Sequence, residues 1–216
     1  MVKSDLEEYM RILSKQRPVF HSEADFQLSL GVLLNKKFNV RLEVPYQNIP
    51  LNSGHKCLIK IELDILLKHG TQKIGVELKY KTEFGTFLIN NESFNLKRHG
   101  AQNLGRFDFY DDIRLLQSLK AKGIIDKGYA IFLTNDRLYW TKAKRSNFSS
   151  QFSMSHGHIV MPNSSLTWKG EPSSGSVGAK RTGSALPVVI ENEMRFNWIE
   201  YSGVEKDAFK YILVEV

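Results

Sequence analysis

At 216 residues, 42% hydrophobic and 25% charged, the chain carries enough apolar material for a real core and reads as one soluble domain. No apolar stretch approaches the roughly 20 residues a membrane helix needs, the N-terminus is charged and helically patterned and does not read as a secretory signal, and a single cysteine excludes an internal disulfide framework. Lys and Arg number 30 against 23 Asp and Glu, a net charge of +7 that favours a polyanionic partner, while the lone Cys57 fits a reducing, cytoplasmic setting.

Ser4-Asp5-Leu6-Glu7 is a capping box and predicts a short helix over 4–15, which Pro18 ends. Ser22-Glu23-Ala24-Asp25 opens a second helix over 22–35, with Phe26, Leu30, Leu33 and Leu34 as its apolar stripe. Glu23 and Gln27 share another side of that helix. Val40, Leu42 and Val44 alternate with Arg41 and Glu43, predicting a strand that stops at Pro45.

Two strictly alternating runs follow. Over 59–67, Ile59, Ile61, Leu63, Ile65 and Leu67 fall on one face, and Lys60, Glu62, Asp64 and Leu66 on the other. Over 73–81, Ile74, Val76, Leu78 and Tyr80 oppose Lys73, Gly75, Glu77, Lys79 and Lys81. Gly70-Thr71 suits a glycine-first hairpin loop. That loop sets Asp64 opposite Glu77, Glu62 opposite Lys79 and Lys60 opposite Lys81. Directly opposed carboxylates lie about 4.5–5.5 Å apart at Cβ, and they repel unless a cation sits between them. A hard divalent cation takes such oxygens, and a lysine two residues along the face would reach its water or a phosphate oxygen. A solvated charge ladder on the outside of a hairpin is the bland alternative.

Residues 82–101 lose periodicity in an Asn- and Phe-rich connection ending at Lys97, Arg98 and His99, and connections of that length are functional or flexible. A helix is expected over 102–122, closed by Gly123, with Phe107, Tyr110, Ile113, Leu116 and Leu119 facing inward. Asp111 and Asp112 read as mid-helix and solvent-facing. The apolar run 128–133 is the signature of a strand buried on both faces, and strand, helix, strand implies a right-handed crossover with parallel pairing.

Between 137 and 170 there is no Asp or Glu, while Arg137, Lys142, Lys144, Arg145 and Lys169 occur with Tyr139 and Trp140 among them. Such interleaving suits phosphate contact and base stacking. It also suits an ordinary surface with two aromatics turned inward. Strand-like pieces are expected over 194–201 and 209–216. His156-Gly157-His158 lacks partners at zinc spacing, His21, His55, His69 and His99 stand alone, and Cys57 reads as a small buried residue.

Helix, three strands, helix, strand, with Leu63-Asp64 followed by Val76-Glu77-Leu78-Lys79, resembles the PD-(D/E)xK nuclease superfamily over about residues 20–140. Leu63 stands where that motif has proline. The resemblance implies an α/β, restriction-endonuclease-like core with a mixed central sheet. We expect it within residues 1–145, with a β-rich extension over 146–216 packed on it and a flexible Gly/Ser loop at 171–187.

The resemblance further implies that Asp64 and Glu77 bind Mg2+, with Mn2+ able to substitute. Glu23 would complete the metal site from the preceding helix, and Lys79 would position the attacking water. Gln102 and Lys81 would support them, although Arg106 stands where an aromatic is expected after Gln102. The implied activity is that of a metal-dependent endonuclease hydrolysing DNA, with Lys97, Arg98, Arg137, Lys142, Lys144 and Arg145 contacting nucleic acid. Homodimers are common in this fold. A catalytically silent nucleic-acid-binding module of the same fold is the competing expectation.

Overall fold

The computed structural model describes residues 1, 3–51, 58–143, 148–169, 186–204 and 207–216. Helices α1 (Lys3–Gln16) and α2 (Glu23–Leu34) precede three strands, β1 (Asn39–Pro50), β2 (Leu58–His69) and β3 (Gln72–Lys81). A hairpin of β4 (Gly85–Ile89) and β5 (Glu92–Leu96) leads to α3 (Gln102–Ala121) and β6 (Lys127–Thr134). Short strands β7 (His158–Val160), β8 (Ser164–Leu166), β9 (Val188–Ile190) and β10 (Met194–Phe196) come before β11 (Ile199–Val204) and β12 (Asp207–Glu215). The central six-stranded sheet has the order β1-β2-β3-β6-β12-β11. Its β3–β6 pair is parallel and its other pairs are antiparallel, so the fold is α/β with a mixed sheet.

The sheet has a core on each face. Leu6, Met10, Phe26 and Leu30 from α1 and α2, with Phe87 and Phe94 from the hairpin, pack on Val76, Leu78, Ile131 and Leu133. On the other side Phe109, Ile113 and Leu116 of α3 pack with Phe132, Ile212 and Val214, and Phe152, Val160 and Phe196 extend that layer. β6 is buried along almost its whole length, which is why its sequence is continuously apolar and not alternating. Among the described residues no helix is long and apolar enough to cross a membrane.

Several sequence expectations are corrected. β1 continues past Pro45 to Pro50 because it is the edge strand, where a missing N–H is tolerated, and it crosses an irregularity between Tyr46 and Ile49. The connection over 82–101 contains a hairpin. Asn90 and Asn91 have φ of 51° and 65°, the two positive values a type I′ loop requires. The strand expected over 194–201 is split, with β10 pairing to β7 while β11 joins the central sheet. The C-terminal extension therefore supplies two strands of that sheet, β12 and β11. Most of the Gly/Ser loop at 171–187, together with His55, Cys57, Lys144 and Arg145, lies outside the described residues.

Candidate active site

The hairpin register is the one the Gly70-Thr71 loop implies, running from His69↔Gln72 to Ile65↔Val76, with Gly70 at φ 58°. There the ladder stops. β2 stays with β1 and β3 stays with β6, so the edge of β3 that faced β2 is left open. Side-chain carboxylates take the place of the missing strand. The Leu78 N–H donates to Asp64 Oδ2 at 2.6 Å and the Tyr80 N–H donates to Glu23 Oε2 at 2.6 Å. Since the ladder ends before them, none of the expected Asp64–Glu77, Glu62–Lys79 and Lys60–Lys81 pairs is part of it, and Asp64 meets Glu77 through its side chain instead.

β2 also changes phase at this point. Ile61, Leu63 and Leu66 belong to the α3 side of the sheet, whereas Ile65 and Leu67 belong to the α1–α2 side. The single apolar face expected over 59–67 is thus two half-faces that meet at Asp64. Glu43, between the β1 residues that pair with Leu63 and Ile65, has φ 52°. That left-handed residue bends the strand pair. Gln27 on α2 holds the bend by donating to Glu43 and, at 2.9 Å, to the Asp64 carbonyl.

Glu77 is 4% exposed and its Oε1 is buried with no hydrogen-bond partner among the described residues. Burial, reinforced by the charges of Asp112 and Asp64, pushes its carboxyl well above the usual range, and the protonated form donates to Asp64. Burial raises Asp64 as well, against the lowering effects of the Leu78 N–H and Lys79. Lys79 meets Asp112 of α3 at 2.9 Å. Burial alone would lower the Lys79 ammonium, but Asp112 and Glu23 outweigh it and hold the ammonium above its ordinary value. Glu23, Asp64, Glu77 and Asp112 therefore all act on one half-buried cation.

Asp112 is the residue the sequence reading placed in solvent. It is 7% exposed. Phe109, Asp112, Ile113 and Leu116 follow helical spacing along the inner stripe of α3, so the signal was present in its phase relative to those neighbours. The close approach of α3 depends on Gly75, where a Cβ would lie 3.0 Å from Ile125 and 3.2 Å from Leu116.

The remaining candidates separate from this cluster. The Gln102 amide is committed to Asp136 at 2.9 Å. Lys81 lines a neighbouring cleft with His99 and Tyr139. Arg98 and Arg137 line a cleft of about 540 Å³ together with Trp140, Glu83 and Asp136. Lys97 and Lys142 are exposed. Tyr139 is a core residue, its ring centroid 4.6 Å from that of Phe132, while Trp140 is half-buried beside Trp198. Of these two aromatics, Tyr139 is structural.

Glu23→Ala will orphan the Tyr80 N–H at the end of β3. An unsatisfied buried donor costs about 1–3 kcal/mol, so the urea midpoint should fall accordingly, whereas Glu23→Gln, which keeps an acceptor oxygen, should recover most of the loss. Equal stability of Glu23→Ala and wild type would show that this carboxylate does not hold the strand.

No protein-family model, curated protein or solved structure matches this chain. Among the described residues no three Asp, Glu, His or Cys side chains form a ready-made metal cage. Magnesium does not require one, since it keeps several waters and is held by one or two carboxylates together with substrate phosphates.

Proposed function

We propose that this chain is a metal-dependent nuclease of the PD-(D/E)xK type that hydrolyses nucleic-acid phosphodiesters, with DNA the first substrate to test. One observation carries the reading. A buried carboxylate oxygen with no hydrogen-bond partner among the described residues, Glu77 Oε1, lies beside Asp64 where β3 parts from β2. An orphaned buried acceptor next to a second carboxylate fits a divalent cation in chemistry and in charge. The helix, three strands, helix, strand order and the mixed sheet support a restriction-endonuclease-like core.

Asp64 and Glu77 would hold Mg2+ or Mn2+, with Glu23 alongside, and the bound cation would polarise a phosphoryl oxygen and lower the pKa of water. The chain's own groups do the rest. Asp64 and Glu23 each use one oxygen to accept from the backbone of β3, which fixes their position against the strand that carries Glu77 and Lys79. Lys79, anchored by Asp112, stays charged at neutral pH and stabilises negative charge that develops on the phosphate.

Incubation with plasmid, single-stranded, branched and RNA substrates in Mg2+ or Mn2+, with and without chelator, tests this. Chelator-sensitive cleavage of any of them supports the reading. Binding without cleavage on every substrate would assign the silent module, and no binding at low salt would remove nucleic acid altogether.

Arg98 and Arg137, which come from different connections and meet at one cleft, should carry phosphate contacts. Each neutralised phosphate contributes about −0.9 to the slope of log affinity against log salt on duplex DNA. The Arg98→Ala/Arg137→Ala variant should therefore bind unrelated sequences more weakly and with a slope shallower by about 1–2, measured by fluorescence anisotropy across a salt series. An unchanged slope would make that cleft an ordinary surface.

A further inference from the structure

The face of the β4–β5 hairpin turned to solvent carries an exposed aromatic side chain. Phe87, Phe94 and Leu96 face inward, Phe87 lying 6.1 Å from the ring of Phe209. Phe84 faces outward and is 74% exposed. The hairpin ladder closes with Gly85↔Leu96, and the contacts beyond it keep the same pairing. Arg98 meets Glu83 at 3.2 Å, and the His99 N–H donates to the Thr82 carbonyl at 2.7 Å. Phe84 consequently lies opposite Lys97, with Thr86 opposite Asn95 on the same exposed face.

The platform is held firmly. His21, just before α2, stacks on Phe94 at 4.4 Å and meets Glu92 at 2.8 Å, and Thr82 Oγ1 donates to the Lys97 carbonyl at 2.6 Å. It also continues directly from the strand that bears Glu77 and Lys79. Phe84 lies five positions along the chain from Lys79, so their Cα atoms are at most about 18 Å apart. An exposed aromatic beside a cation, here Lys97, is the arrangement on which bases stack in proteins that bind single strands.

Resting on the nucleic-acid reading above, we infer that Phe84 is a stacking platform for an unstacked nucleobase a few nucleotides from the scissile phosphate, with Lys97 against the neighbouring backbone. The occupant is a base of an unpaired segment, not an intact duplex, because a ring standing alone on a ribbon face offers a π-surface and no edge-reading pattern.

The test measures binding of the full chain in chelator to a duplex, to the same duplex with a single-stranded tail, and to tails in which one base at a time is removed to leave an abasic site. Phe84→Ala, a surface change, should weaken binding of the tailed substrate about tenfold and Phe84→Trp should not, as loss of one stacked base predicts. Removing the base at one tail position should cost wild type a similar factor and cost Phe84→Ala nothing further. The inference is overturned if Phe84→Ala binds every substrate within about twofold of wild type, or if its loss is the same with and without the base. If wild type itself binds no oligonucleotide at low salt, the nucleic-acid reading falls as well, a result separate from the loss of this contact alone.

Discussion

Asp64→Asn will fold normally and lose at least about a thousandfold in cleavage, equivalent to about 4 kcal/mol of transition-state stabilisation. Its fold survives because an amide oxygen can still accept from the Leu78 N–H, the bond that holds Asp64 at the open edge of β3. Its activity fails because a neutral amide is a poor ligand for a hard cation, and the carboxylate it replaces is one of the two that would hold the ion. In the metal-free state the substitution removes a like charge next to Glu77 and Glu23, so the melting temperature should stay level or rise. Nucleic-acid affinity should be kept or tightened, since one negative charge near the phosphate is gone. Single-turnover cleavage, thermal melting and binding on the same preparation separate these effects. Wild-type cleavage by Asp64→Asn would sink the assignment of the site.

Much of this arrangement was legible in the sequence because local rules agreed with one another. The Gly70-Thr71 loop fixed the register of β2 on β3, the continuous apolar run 128–133 announced a strand buried between others, and the capping residues around Ser22 placed Glu23 in the first turn of α2. What was missed depends on tertiary context. Strict alternation over 59–67 predicted one apolar face, but the left-handed Glu43 on the neighbouring strand bends the pair and splits that face at Asp64. Strand register alone also could not show that β2 and β3 separate, because the ladder ends where side-chain carboxylates outcompete a backbone partner. Asp112 was misplaced because an acidic residue mid-helix is usually solvated. Its burial follows from a lysine supplied by another strand, a partner that periodicity within α3 does not reveal. The hairpin over 82–101 was hidden for a different reason. Its loop is Asn90-Asn91 without the glycine that normally marks a type I′ turn, and its outward face carries Phe84 and Leu88, which blurs the alternation.

The metal-free protein will be more stable near pH 5 than near pH 8, the reverse of most proteins stabilised by carboxylate ion pairs. Burial pushes Asp112 up to about 7, against the lowering effect of Lys79, and it raises Glu77 and Asp64 too. All three titrate near 4 in the unfolded chain. Between about pH 4 and 7 the folded state therefore holds more protons than the unfolded state, and stability falls as pH rises through that window. For a buried group such as Asp112 the loss is on the order of 3 kcal/mol. Lys79 stays charged throughout and does not offset it. His99 and His158, lowered first by burial, act in the opposite direction around pH 6, but both are only partly buried, so their effect is smaller. A divalent cation competes with the protons on Asp64 and Glu77, so magnesium should raise the melting temperature at pH 8 far more than at pH 5. At a hundred times its dissociation constant the gain is about 2.7 kcal/mol. Asp112→Asn should flatten the pH dependence while leaving the magnesium effect, because Asp112 faces Lys79 and is not one of the two proposed ligands. Urea denaturation at several pH values, with and without magnesium, reads both quantities. A metal-free stability that is level or rising from pH 5 to pH 8 would mean that these carboxyls are not the buried, mutually repelling group on which the proposed metal site depends.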